Sequence, residues 1–299
     1  MPARATFLDP LEPANGTHGK LYVVGTPIGN LEDITLRAIR ILKEVDLIAC
    51  EDTRRTQKLL NAYKIKTRTI SYHEHNEMTR APELIIAMEE GSSIALVTDA
   101  GMPVVSDPGF RLVHLAVRHT IPVIPVPGAS AFVAALAASG MPVDKFRFLG
   151  FLPSKKGERR KALELLKEAP KTLVFYESPH RLLEMLKDAR EILGEREVVI
   201  AREVTKVHEE FLRGTIGATL EHFKKVPTKG EITVLIGAHA VSDAHDGGAP
   251  AASIMTEIQT VMAGRKLDER AALKMVARAR GVSKSEAYRL LQAEKSRKK

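Results

Sequence analysis

The chain has 299 residues, 44% hydrophobic and 27% charged, a globular composition with room for more than one core. Its single cysteine, Cys50, leaves no intrachain disulfide framework and no cysteine zinc site, and no apolar run approaches the ~20 residues of a membrane span. The net charge of +8 is uneven: residues 253–299 carry 12 Lys and Arg against 5 Asp and Glu, so a soluble cytoplasmic protein with a basic tail is expected.

Residues 1–18 contain Pro2, Pro10 and Pro13 without periodicity and are expected to be disordered. Leu21 to Val24 reads as a first strand, running into Gly25-Thr26-Pro27-Ile28-Gly29-Asn30. Asp33 is then expected to cap a helix with Ile34, Ala38, Ile41, Leu42 and Val45 on its apolar face. The loop fits neither GxGxxG nor GxxxxGK(S/T), and its proline suits a phosphate cradle of backbone amides poorly, so dinucleotide and ATP sites are disfavoured. Residues 45–49 form a second strand ending in Glu51-Asp52-Thr53-Arg54-Arg55, and Thr69 to Tyr72 a third ending in His73-Glu74-His75-Asn76. Alternation puts His73 and His75 on one face, but no third ligand accompanies them and no metal site is assigned.

A helix over 83–90 leads to Ile94-Ala95-Leu96-Val97, apolar throughout like a buried parallel strand. That strand breaks into Thr98-Asp99-Ala100-Gly101 and then Ser106-Asp107-Pro108-Gly109. Small residues let a ligand approach the backbone there, Asp99 and Asp107 can accept hydrogen bonds, and strand carboxyl ends are where open α/β sheets bind ligands. A helix over 110–119, a strand over 123–126 and an alanine-rich helix ending at Ser139 complete a mostly parallel α/β domain at residues 19–142.

Residues 143–239 read as a second α/β domain. It has a strand over 146–152, a basic loop from Lys155 to Arg160 entering a helix, and strands over 172–176, 198–201 and 232–236. Two of these end in charged runs, Glu177-Ser178-Pro179-His180-Arg181 and Arg202-Glu203-Val204-Thr205-Lys206. A cleft between the two domains is the expected ligand site. Residues 240–252, rich in Gly, Ala and Asp, read as a linker. In residues 253–299, helices over 267–280 and 285–293 flank Gly281-Val282-Ser283, a pattern of helix-turn-helix type whose basic charge suits RNA phosphates. A plain helical hairpin docked on the body is the other reading of that region.

VGTPIGNLEDIT, CEDTRRT, HEHNE, VTDAGMPVVSDPG, PVPGAS, GFLP, FYESPHRL, AREVTK and KGE follow in that order between Leu21 and Gly237. Together they resemble the RsmI family, 16S rRNA cytidine-2′-O-methyltransferases of the tetrapyrrole methylase (class III) superfamily. The resemblance implies two αβα domains, S-adenosyl-L-methionine in the cleft between them, a homodimer, and a cytidine ribose in the decoding region of 16S rRNA in the small ribosomal subunit as target. It implies a cofactor lining of Thr26, Pro27, Ile28, Asp99, Ala100, Gly101, Ser130, Phe175 and Tyr176. Arg54, Asn76, Glu177, Arg202, Glu203 and Lys206 are then expected on the catalytic, substrate-facing side, with the residue that takes the proton left open.

Two other classes compete. A tetrapyrrole methyltransferase would share the cleft, but the basic loop and basic tail are not needed for a small macrocycle. A non-catalytic helix-turn-helix protein would leave the charged strand ends unexplained. Methylation of a ribose oxygen rather than a base also fits the residue inventory. Only Phe175, Tyr176 and Tyr72 sit at predicted strand ends, a thin supply of rings for stacking an extruded base.

Overall fold

The computed structural model describes residues 18–226, 229–239, 253–265, 267–280 and 282–297. The N-terminal segment ahead of His18, the expected linker 240–252 and Gly281 of the expected tail turn lie outside the described residues. The chain up to His239 forms one compact unit and the chain from Ala240 another.

The first half of the larger unit is a five-stranded sheet in the order β3-β2-β4-β1-β5, parallel at every described pairing. Its strands are β1 (Leu21–Val24), β2 (Leu47–Cys50), β3 (Thr69–Ser71), β4 (Ile94–Val97) and β5 (Val123–Val126). All four residues of β4 are buried, as a central parallel strand covered on both faces requires. The covering helices are α1 (Leu36–Glu44), α2 (Thr53–Ala62), α3 (Glu77–Glu89), α4 (Phe110–Arg118) and α5 (Ala131–Ser139). Two starts differ from the sequence expectation. Leu31–Asp33 closes a short 3-10 turn capped by Asn30, so the helix begins after it and Thr35, not Asp33, accepts the Ala38 N–H as N-cap. Helix α3 begins six positions before the expected Glu83 and carries Pro82 in its second turn, where the ring removes the one N–H that would have bonded the Met78 carbonyl.

The second half is a mixed sheet, β6-β7-β10-β8-β9. It comprises β6 (Phe146–Phe151), β7 (Thr172–Glu177), β8 (Glu197–Arg202), β9 (Glu210–Thr215) and β10 (Ile232–Ile236). Among the described pairings, β6 and β7 run parallel and the others antiparallel. Strand β9 is absent from the sequence expectation. It is an edge strand whose burial never passes intermediate, so it lacks the apolar run that marks its neighbours. Helices α6 (Lys156–Glu164), α7 (Leu182–Leu193) and α8 (Ile216–Lys225) pack on a core that includes Leu163, Phe175, Leu186, Ile200 and Val234.

The halves are joined by a shared apolar cluster. Ile28, Ala135, Leu136 and Met141 from the first meet Val174, Val199, Ala201 and Leu235 from the second. This continuity fixes the geometry of the space left between the strand ends.

The described residues of the smaller unit form three helices, one more than expected: α9 (Ile254–Arg265), α10 (Glu269–Ala279) and α11 (Lys284–Arg297). Helix α9 is legible in the sequence: Ile254, Met255, Ile258, Val261 and Met262 follow the spacing of one apolar helix face, and the expected pair of helices leaves it out. Its core pairs Ile254 and Ile258 with Ala272, Val276 and Leu291. The Glu294 carboxylate accepts from the Ile254 and Met255 N–H groups at 3.1 and 3.2 Å, anchoring α11 to the positive end of α9. No helix among the described residues is long and apolar enough to cross a membrane.

The basic loop expected from Lys155 to Arg160 is largely structural. Arg159 is 1% exposed and donates to Asp188 at 2.7 Å and Glu184 at 3.2 Å, while Arg160 reaches Asp188 at 3.0 Å and Glu191. These guanidiniums staple α6 to α7 and are not offered to a ligand. Because removing one member strands a buried charge, Arg159→Met should lower the unfolding free energy by about 3 kcal/mol, and adding Asp188→Leu should recover most of it. Urea unfolding of the single and double variants checks both.

Candidate active site

Everything at the site follows from where β1 and β4 end. Thr26, just past β1, forms an isolated antiparallel bridge to Gly101, with backbone bonds of 2.9 and 3.1 Å. The buried Thr26 hydroxyl donates to the carbonyl of Thr98 at 3.1 Å and lies 3.3 Å from that of Gly101. Gly25 touches Gly128 beside this bridge: a Cβ on Gly25 would fall 2.7 Å from the Gly128 Cα. Three loops, after β1, β4 and β5, are thereby drawn together at the strand ends.

They enclose one side of a cavity of about 600 Å³, and the ends of β6, β7 and β10 form the other. Of the expected cofactor residues, Ile28, Asp99, Ala100, Gly101, Ser130 and Tyr176 line it. Thr26 and Pro27 are buried behind the wall, Thr26 as the brace just described. Phe175 is in the core cluster with Leu163 and Leu186 and outside the lining. Side chains alternate along a strand, so neighbours such as Phe175 and Tyr176 face opposite ways.

The expected substrate-side residues divide. Glu177 lines the cavity. Lys206 bonds Glu203 and the cavity-lining Glu231, both at 2.9 Å, and its methylenes lie where a Cβ on Gly29 would stand, so it spans the two halves at the rim. Burial opposes the charge on Glu203, but Lys206 and the Glu231 N–H outweigh it and hold the carboxyl below its usual range. Arg202 forks onto Glu210 at 3.0 and 2.8 Å. Arg54 is 88% exposed and clamps Asp52, whose carboxyl it pulls down to about 2, chiefly by side-chain hydrogen bonding. Asn76 closes its own turn, accepting from the His73 N–H at 2.9 Å and donating to the Ser71 carbonyl at 3.1 Å. Neither Arg54, Asn76, Arg202, Glu203 nor Lys206 is in the lining. His73 and His75 stack edge to face with ring centroids 5.9 Å apart, and no metal-holding cluster occurs among the described residues.

The cavity also contains Arg55, which had no expected role, together with Glu51, expected among the charged groups after β2, and Asp107, expected as an acceptor in its loop. Arg55 pairs with Asp99 at 3.1 Å, and Glu51 accepts from the Thr98 hydroxyl at 3.1 Å. Asp107 has its carboxyl pushed up to about 6, first by burial and then by the charges of Glu51 and Asp99, with the Thr98 hydroxyl working the other way. Phe132, Phe151 and Tyr176 add an aromatic wall, with the Phe151 and Tyr176 centroids 5.7 Å apart. This corrects the expectation of a ring-poor site. Phe132 enters from a helix and Phe151 from the strand end just past Gly150, and neither belongs to the rings expected at strand ends.

The family model for Tetrapyrrole (Corrin/Porphyrin) Methylases matches residues 20–219. Ribosomal RNA small subunit methyltransferase I of Halalkalibacterium halodurans is 49% identical over 92% of this chain and 96% of its own. The protein of the same name from Escherichia coli O157:H7 is 43% identical over 92% and 96%. Among solved structures, uroporphyrin-III C-methyltransferase of Thermus thermophilus, complexed with S-adenyl homocysteine, superposes with a TM-score of 0.54 at 22% identity, over 73% of this chain and 97% of its own. The cobalt precorrin-4 methyltransferase CbiF gives 0.55 at 20% identity, over 76% and 98%; these two likenesses establish the fold.

The carboxyl of Asp107 generates a pH test. It stays protonated up to about 6 in the folded protein against an ordinary 3.8, so the stabilisation it gives is complete below pH 3.8 and is lost as pH rises through 6. Asp107→Asn removes that dependence, and its urea midpoint should gain on the wild type between pH 4 and 7. A constant difference across the series would refute the shift.

Proposed function

The chain belongs to the RsmI branch of the tetrapyrrole methylases, and from that premise we propose that it methylates the 2′-oxygen of a cytidine ribose in the decoding region of 16S rRNA. The observation that carries this reading is the large cavity between the two sets of strand ends, backed by relatives at 43–54% identity whose names specify small-subunit ribosomal RNA. The tetrapyrrole alternative rests on structural neighbours at 20–22% identity, a likeness that shows the fold alone.

The methyl donor is S-adenosyl-L-methionine, which brings a methyl group already activated on a sulfonium. The residues present fit it: Ala100, Gly101, Ser130 and Ala131 leave backbone bare along one wall, held open by the Thr26–Gly101 bridge. Asp99 is held at the cavity wall by Arg55 on one oxygen and by the Asp52 N–H at 3.2 Å on the other, which fixes the orientation of its carboxylate. Transfer to oxygen is an in-line displacement, in which alignment supplies much of the acceleration. Asp107, half-buried in the lining and titrating near 6, is placed to receive the 2′-hydroxyl proton. Outside the cavity lining, Arg54, Arg202 and Lys206 are read as the groups for phosphates, and Asn76 as the residue that shapes the turn after β3. The same reading has the enzyme acting in the cytoplasm as a homodimer.

The smaller unit supports an RNA substrate. Arg270, Lys274 and Arg278 recur every four residues along α10 and are exposed, forming one cationic row. Replacing all three with Ala should lower the slope of log affinity against log salt by about 0.7 to 0.9 for each phosphate left unneutralised, as filter binding at graded salt would report. An unchanged slope removes the row from the interface.

Small subunits incubated with the protein and methyl-labelled donor should yield labelled 16S rRNA in which the label survives alkali as a dinucleotide, since a 2′-O-methyl blocks cleavage of the adjacent phosphodiester. Label recovered only in mononucleotides would refute ribose methylation, and label on a porphyrin precursor but not on RNA would refute the substrate class.

A further inference from the structure

Two strained stretches of backbone meet at one edge of the cavity. In the loop after β4, Val104 takes φ +75° and Ser106 φ +66°. A β-branched residue is strongly disfavoured in that left-handed region, and such conformations persist only where the surroundings hold them, often at functional sites. The hold is visible around Gly109. A Cβ there would fall 2.8 Å from the Leu96 side chain and 3.0 Å from that of Val104, so the loop is folded tightly back over β4. Val105, Ser106 and Asp107, between these points, line the cavity.

The second stretch belongs to β6. Its parallel pairing with β7 steps from Phe148–Val174 to Phe151–Tyr176, which leaves one extra residue on β6, and Gly150 takes φ +62° there. A bulge of this kind bends the strand locally. Gly150 is buried, and a Cβ on it would fall 2.9 Å from the Ser106 Oγ. The left-handed backbone alone would admit an asparagine; the close approach of Ser106 is what excludes a side chain. Ser106 thus occupies a notch left by the bare backbone of Gly150, and the loop of the first half is seated on the bulge of the second. Asp107 is the next residue, coupled to that seat through one peptide bond.

We infer that Gly150 and Ser106 are positioning residues for the transfer: the notch in β6 fixes the loop after β4 so that Asp107 stands where it can take the proton. The inference rests on the reading of Asp107 as proton acceptor and adds to it the contact that sets its place. The groups bearing on this carboxyl among the described residues are Glu51 after β2, Asp99 with its partner Arg55, the Thr98 hydroxyl, and Tyr176 on β7. None of them is on β6, so an uncharged change at Gly150 acts on the carboxyl through its position.

The full-length protein is tested on small subunits with methyl-labelled donor. Gly150→Ala sets a Cβ against Ser106 and should lower kcat about tenfold, with KM for the subunit within about threefold, since misplacement by about 1 Å can cost on the order of a hundredfold. A carboxyl displaced towards water ionises more readily, so the acid limb of kcat/KM, near pH 6 in the wild type, should move down towards 3.8. Adding Ser106→Gly removes the opposing Oγ and suits φ +66°, and should restore most of kcat and return the limb; it does nothing for strain at residue 150 itself. Gly150→Asn, which accepts left-handed backbone, takes the place of the alanine variant if that one does not fold. Wild-type kcat and an unmoved limb overturn the inference, as does a loss that Ser106→Gly leaves unrepaired. Asp107→Asn working at the wild-type rate overturns the proton-acceptor reading, and the inference with it. An inactive Asp107→Asn beside an unaltered Gly150→Ala removes the seat alone.

Discussion

The site depends on one small constraint, the two-bond bridge between Thr26 and Gly101. Parallel strands end in loops that have no reason of their own to meet, and here the loops after β1 and β4 are tied across adjacent strands by reciprocal backbone bonds. The buried Thr26 hydroxyl adds a bond to the Thr98 carbonyl and a contact to the Gly101 carbonyl, which already accepts the Thr26 N–H. Further along the loop after β4, burial and the charges of Glu51 and Asp99 push the carboxyl of Asp107 up to about 6. Preorganisation suits a displacement reaction, in which the protein contributes alignment and a fixed field rather than covalent chemistry.

The charged residues around the cavity are already partnered. Arg55 is held by Asp99, Lys206 by Glu203 and Glu231, Arg202 by Glu210 and Arg54 by Asp52. A substrate phosphate must therefore compete with a carboxylate for each cation. That competition disfavours loose anions and favours a polymer that presents several phosphates at once.

How legible this was in the sequence depends on whether the deciding contact is local. The loops after β1, β4 and β7 stand out because an apolar run changes abruptly to glycine, proline and carboxylates, a signal contained in a dozen residues. Strand β9 was invisible because an edge strand with one wet face has no such run. Arg159 and Arg160 read as solvated charges because their partners, Asp188 and Glu191, lie 28 to 31 residues further on. Phe151 and Phe132 reach the cavity through a bulge and a helix, which no strand-end count reveals. Phe175 is a different case: alternation placed it opposite Tyr176, and the pattern was there to be used.

The contact between Gly25 and Gly128 bears on how such a transferase can diversify. A Cβ on either residue would lie within 2.8 Å of the other's backbone, so neither position tolerates a side chain unless the two loops separate. Separation would open the wall that Ala100 and Gly101 build, whereas Phe151 and Tyr176 reach the same cavity from β6 and β7. The two walls of the cavity are thus encoded on different segments of chain. Selection, or a directed library, can vary one wall while the other stays invariant.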